Sequence, residues 1–157
     1  MKIRLLTVGK STNSHLIDLQ KEYQDRLKHY IQFEFAVIPE LKNTKSISID
    51  EQKEKEGELI LKQLDATEEV VLLDEKGKQY TSVAYADFIS KKMLASHKRL
   101  TFVVGGPYGF SEKVYQRANG KISLSSMTFS HQMIRLIFVE QLYRAMTILK
   151  GEPYHHE

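Results

Sequence analysis

The sequence predicts a single α/β domain over residues 1–157, a mostly parallel sheet with helices on both faces. Three observations carry this. Five apolar, β-branched runs alternate with segments of helical periodicity, the order that builds parallel sheets through crossover helices. No Pro-, Gly- or Ser-rich linker, low-complexity segment or repeat divides the chain. A length of 157 residues is most simply one domain with a sizeable core.

The elements follow in order. Residues 3–8 read as a first strand. Residues 14–30 follow as a helix, with Leu16, Leu19, Tyr23, Leu27 and Tyr30 at three- and four-residue spacing. A second strand, 33–38, is stopped by Pro39, and 41–49 is a polar connection. Residues 50–64 form a charged amphipathic helix with Asp50 as its expected cap. EVVLLD (69–74) is a third strand, closed by a turn in EKGKQ. Ser82 is the expected cap of a helix carrying Ala86, Ile89, Met93 and Leu94. RLTFVV (99–104) is a fourth strand, 112–118 a short helix, and KISLS (121–125) a short fifth strand. A long helix over 130–150 ends at Gly151.

That last helix is apolar nearly all the way round, including Met133, Ile134, Leu136, Ile137, Phe138, Val139, Leu142 and Met146. A helix covering one sheet face needs only a stripe. Either the helix is wholly buried in one chain, or a second copy covers it; the expectation is a homodimer.

Composition excludes several classes. The chain is 41% hydrophobic and 27% charged, ordinary for a soluble globular protein. Without cysteine there is no disulfide framework, thiolate nucleophile or Cys-based zinc site, which fits the cytoplasm. The start, MKIRLLTVGK, is charged too soon for a signal peptide. No apolar run approaches the ~20 residues that span a bilayer, so no membrane partner is expected. Lys and Arg number 23 against 20 acids and interleave, as in EQKEKEGE, without a basic stripe. A nucleic-acid substrate would then be held by shape or by a composite surface. The His155–His156 pair has poor metal spacing, and no metal is expected.

Three of the eight glycines fall within five positions in FVVGGPYGF (102–110), directly after the fourth strand. Open α/β sheets bind ligands beyond the carboxyl ends of their strands, so the place is right. A dinucleotide fingerprint fails, because the first strand ends in VGKSTN with Gly9 alone. A P-loop fails for want of GK[ST], a nucleophile elbow for want of a central Ser, and the standard methyltransferase glycine loop after strand one is also weak. An ordinary strand-to-helix turn remains open. Two further segments sit at the same edge: LLDEKGK after strand three, and LSSMTFSHQMIR before the last helix. The second offers backbone amides and the hydroxyls of Ser125, Ser126 and Thr128 beside Met127 and Phe129. It suits a flat, uncharged ring such as adenine, or is simply a helix start capped by Ser130.

VVGGPYGFS, LSSMTFSHQMIRLIFVEQLYRA and the terminal GEPYHHE, in this order, closely resemble the RlmH (YbeA-type) family of small bacterial SPOUT methyltransferases. MKIRLLTVGK and the EKEGE helix match as well, so the resemblance covers the whole chain. It implies an S-adenosylmethionine-dependent enzyme that methylates N3 of pseudouridine 1915 in the helix-69 loop of 23S ribosomal RNA, on assembled ribosomes. It implies a C-terminal deep trefoil knot and a homodimer packed through it. Carried over by position, it places Leu73, Gly105, Leu124, Ser125, Ser126, Met127, Thr128 and Phe129 around the cofactor, with Gly106 and Gly109 allowing the turn. A non-catalytic adenine-nucleotide-binding protein, or a ribosome-associated protein without cofactor, is the alternative.

Methyl transfer from a sulfonium needs alignment and a deprotonated acceptor. His131 and Arg135, one helical turn apart, are candidates for taking the proton and holding a phosphate or the ring anion. His131 also has a local reading, as a helix-terminal side chain bonding nearby. Glu140 and Arg144 have ion-pair spacing, and Arg144 is a candidate RNA contact beside Arg135 and Tyr154. Gly151 and Pro153 are helix-stop signals, and such a tail ordinarily frays. The family ends in Tyr-His and uses that end at its substrate, so the resemblance makes Tyr154 and His155 catalytic candidates, in their own chain or in the partner subunit.

Overall fold

The computed structural model describes residues 1–95 and 97–157. Its elements are β1 (Lys2–Val8), α1 (Ser14–Leu27), β2 (Gln32–Ile38), a 3-10 turn (Thr44–Ser46), α2 (Ile49–Lys62), β3 (Glu69–Gln79), α3 (Ser82–Leu94), β4 (Arg99–Val104), α4 (Glu112–Arg117), β5 (Gly120–Ser123) and α5 (His131–Leu149). The strands form one sheet in the order β2-β1-β4-β3-β5, and every neighbouring pair is parallel. All five expected strands are present.

Both faces are covered, which explains why the central strands read as continuous apolar runs. On one face Ile3, Leu5 and Phe102 pack with Leu27 of α1, Tyr85 and Ile89 of α3, and Phe138 and Leu142 of α5. On the other, Leu6, Val8 and Val103 pack with Ile60 of α2 and Val114 of α4. At the amino ends of β1, β3 and β4 sits a buried ion network: Arg4 and Arg99 both donate to Glu68, at 3.0 and 3.2 Å. Burial pushes the Glu68 carboxyl up, but hydrogen bonds from Thr101 and Arg99 outweigh it and hold the group below the ordinary carboxylate range.

Four local expectations are corrected. Ser48, not Asp50, caps α2, its side chain accepting from the Glu51 amide at 3.1 Å; Asp50 sits in the first turn, where its charge favours the helix dipole. Thr81, not Ser82, caps α3 in the same way. EKGKQ is not a closing turn: β3 runs on to Gln79, because Lys78 and Gln79 pair with Ile122 and Ser123 after an irregularity that skips Asp74 to Gly77. A Cβ on Gly77 would lie 2.6 Å from the Ile122 backbone, so this crossing needs glycine. The first helix also ends early, at Leu27, and residues 28–30 turn back on it through Tyr30 N–H to Leu27 C=O at 2.9 Å.

In α5 the buried stripe runs through Arg135, Phe138, Val139, Leu142, Ala145 and Met146. Leu136 and Ile137 are half-buried, and Met133 and Leu149 are exposed. One chain therefore leaves apolar surface on this helix uncovered. No helix among the described residues is long and apolar enough to cross a membrane.

Candidate active site

The carboxyl ends of β3, β4 and β5 open into a cavity of about 470 Å³. Its walls are the three segments singled out above. Leu73, Gly105, Leu124, Ser125, Met127, Thr128 and Phe129 line it; Ser126 does not. The wall from β5 to α5 is pinned by its own side chains. Ser123 Oγ donates to the Ser125 carbonyl at 2.8 Å, Ser125 Oγ accepts from the Met127 amide at 2.9 Å, and Ser130 caps α5 through the Met133 amide at 3.2 Å.

The glycine wall is a tight turn, Gly109 N–H to Gly106 C=O at 3.2 Å, with Gly109 in the left-handed region at φ 84°. Gly106 is needed for a different reason. Its missing Cβ is where the Glu56 carboxyl group lies, 2.2 Å from Oε1. A side chain on Gly105 would meet the Phe110 ring at 2.9 Å.

Sequence reasoning missed several lining residues: Asp74, Tyr108, Phe110, Tyr115, Ile122 and Lys53. Tyr115 donates its hydroxyl to Asp74. Burial first, and that carboxylate second, push the Tyr115 phenol well up, so it stays a donor. Asp74 lay inside a flagged segment; its partner is 41 residues away, and no local pattern joins them.

The two α5 candidates part company. His131 is exposed and lines the cavity. Arg135 is 2% exposed, and its guanidinium donates to the Val8 carbonyl and Ser11 Oγ, both at 3.1 Å. Burial lowers its affinity for the proton, and nearby Glu40 partly opposes this. Gln132 clasps the same turn, accepting from the Thr12 and Asn13 amides at 3.0 and 2.8 Å. The first turn of α5 is thereby strapped to the β1–α1 connection.

The tail is ordered and lies at the other end of α5. After Gly151, at φ 68°, the chain folds back, and the Glu152 amide donates to Thr147 C=O at 2.9 Å. Tyr154 donates to Glu140 at 3.0 Å, meets the Tyr23 hydroxyl at 3.3 Å, and packs edge-on to Tyr143 at 4.8 Å. Arg144 stacks 4.7 Å over the Tyr154 ring, donates to Glu140 at 2.7 Å and lies 3.1 Å from His155 Nδ1. Tyr30 donates to Glu152 at 2.6 Å, which pushes its phenol up to about 12. Burial, then Tyr23 and Glu140, push Tyr154 up as well. His155 Nε2 is buried without a hydrogen-bond partner.

So Arg144 and Tyr154 converge on Glu140, and His155 joins them through Arg144. At ~1.5 Å per residue, Arg144 stands about 20 Å along α5 from His131. One chain does not bring its cavity and its tail together.

Among the described residues no cluster of His, Asp and Glu is arranged to hold a metal. The pattern of the family described as "Predicted SPOUT methyltransferase" matches residues 1–155. The chain belongs to the SPOUT methyltransferase family. Relatives named "Ribosomal RNA large subunit methyltransferase H" from Bacteroides thetaiotaomicron and Parabacteroides distasonis are 64% and 61% identical over 157 residues, the full length of both chains in each case. One of the same name from Flavobacterium johnsoniae is 55% identical over the same span. A solved structure described as a probable methylase family protein from Haemophilus influenzae superposes with a TM-score of 0.54 at 11% identity, covering 95% of this chain and 66% of that one. That likeness carries the SPOUT fold alone.

Proposed function

We propose that the chain is an S-adenosylmethionine-dependent methyltransferase of large-subunit ribosomal RNA, acting on N3 of pseudouridine 1915 in the helix-69 loop of assembled ribosomes in the cytoplasm. The observation that carries this is the cavity at the strand ends, with seven of the eight residues expected at a donor lining it. Its volume lies in the ~300–1,000 Å³ range of small-molecule sites. Leu73, Leu124, Met127 and Phe129 offer apolar cover for a ring, and the backbone of 124–129 offers hydrogen bonds to its edge. Ser126 would act through backbone alone. The trefoil knot of the family is part of the same proposal, formed where residues 120–130 pass the β3 extension.

S-adenosylmethionine, when bound, supplies a methyl group already activated on a sulfonium sulfur. The protein has to align it with the target and help N3 lose its proton. We assign the target side to Arg144, Tyr154 and His155. Nδ1 of His155 accepts from an Arg144 N–H, so the neutral ring carries its proton on Nε2; that atom is buried 3.6 Å from Glu157, and the end of the tail has to open before it can donate to a carbonyl beside N3. Arg144 adds fixed positive charge for the ring anion and RNA phosphate. His131, at the cavity mouth, is the group we assign to accept the proton. Arg135 serves as a strut beneath it.

Because the tail stands about 20 Å from the cavity of its own chain, we propose a homodimer in which Tyr154 and His155 of each chain serve the cavity of the other. The uncovered Met133, Leu136 and Ile137 of α5 support it. Calorimetric titration with S-adenosylmethionine tests the donor site, and no binding would overturn it in favour of a ribosome-associated protein without cofactor. Mass spectrometry of ribosomal RNA nucleosides with and without the gene tests the substrate: methylated pseudouridine should vanish in the deletion strain, and its persistence would refute the assignment.

A further inference from the structure

Helix α2 presents three residues of one face to the back of the glycine wall. Lys53 lines the cavity. Glu56, three residues on, is 4% exposed, and its Oε1 has no hydrogen-bond partner. The carboxyl group lies where a Cβ on Gly106 would be, and its Oε2 accepts from Gln52 at 3.3 Å. Gly57 leaves room for Ser111, whose Oγ would stand 2.3 Å from a Cβ there. Ser111 in turn caps α4. Both ends of the turn at 106–111 thus rest on consecutive residues of α2.

An apolar side chain would fill this space without leaving a buried oxygen unpaired, which ordinarily destabilises. We propose that Glu56 is a positioning residue for the methyl donor: its carboxyl group props Gly106, so that the Gly105–Gly109 wall stands where the donor requires it. This rests on the donor-site reading above. Burial raises the affinity of Glu56 for its proton, opposed by the Gln52 hydrogen bond and His131 and reinforced by Glu40, the charged groups that face it from α5 and from the end of β2. The neutral form suits the buried space behind Gly106. An ionised carboxylate must admit water or move, and the wall moves with it. Donor affinity is therefore full while Glu56 is protonated and falls as pH rises through its value, which lies above the ordinary carboxylate range.

The test is calorimetric titration of S-adenosylmethionine into the full-length protein from about pH 5 to about pH 8. Glu56→Gln, which keeps the shape of the neutral form at every pH, should bind within ~2-fold of the wild type at low pH and lose the pH slope that the wild type shows. Glu56→Ala should weaken binding ~10-fold throughout. Gly106→Ala should weaken it similarly, and adding Glu56→Ala should restore it, because the new methyl takes the vacated space. Equal pH slopes in wild type and Glu56→Gln would overturn the inference, even if Glu56→Ala does not fold. Failure of the wild type to bind at any pH would instead overturn the donor site itself, and this inference with it.

Discussion

The two ends of α5 are built on opposite plans. At its start, exposed His131 lines an open cavity whose walls combine strand-end backbone, glycine and apolar side chains with Lys53, Asp74 and Tyr115. At its end, Glu140, Tyr143 and Arg144 hold Tyr154 and His155 in a closed cage of hydrogen bonds and stacked rings. The first plan leaves space for a ligand and takes its precision from the main chain. The second fills its own space and carries the polar side chains that chemistry requires. The helix between them keeps them apart. The contrast is what the proposed dimer would resolve, with the open end of one chain meeting the furnished end of the other.

The largest effect should come from removing the furnished end. Deleting residues 154–157 should lower the methylation rate by ~10²–10⁴, the range of acid–base and hydrogen-bonding contributions, while donor affinity stays within ~2-fold. Rate and calorimetry on the same sample separate the two. A parallel loss of donor binding would break the division of labour between the ends.

Arg135→Met comes next. The guanidinium is buried on Val8 and Ser11, so its loss leaves the Val8 carbonyl short of a partner and should lower stability by ~1–3 kcal/mol in denaturant unfolding. The rate per folded dimer should hold at saturating RNA. A rate loss without destabilisation would make Arg135 a substrate contact and not a strut.

Gly105→Leu sharpens the open end. Its side chain would press on Phe110 and into the cavity, weakening S-adenosylmethionine ~10-fold or more with little change in the tail. Smallest is Tyr154→Phe, which removes hydroxyl contacts to Glu140 and Tyr23 worth ~1 kcal/mol. A few-fold rate loss is expected, visible as a kcat effect with an unchanged donor Kd.

The open end was far more legible in the sequence than the furnished one, for a physical reason. A site made of strand ends and main chain is found wherever the strands are found. The segments that hold Leu73, Gly105 and 124–129 follow from the apolar runs and the glycine cluster, while their assignment to a cofactor came from family resemblance. Ser130 could be read as a cap because it stands alone before an apolar helix. Where several capping residues crowd together, as at 48–50 and 81–82, their near-equal preferences left the choice to tertiary context, and the structure chose Ser48 and Thr81. EKGKQ looked like a turn because those residues extend past the end of β4, where only Lys78 and Gln79 pair, with β5, so they remain polar. Arg135 read as a candidate to hold a phosphate or the ring anion because its actual partners lie 124 and 127 residues away. The tail's cage is assembled from α1, α5 and the terminus, and only family resemblance pointed to Tyr154 and His155. Glu56 was passed over inside a charged run that reads as a solvated face.

The exchange between two chains is tested most directly by mixing two inactive variants: Gly105→Leu, which blocks the cavity, and His155→Ala, which empties the tail. Each homodimer should be nearly inactive. Random mixing gives dimers with one intact cavity facing one intact tail, so about a quarter of wild-type activity should return. A mixture no more active than its parents would show that each chain works with its own tail, and would contradict the account.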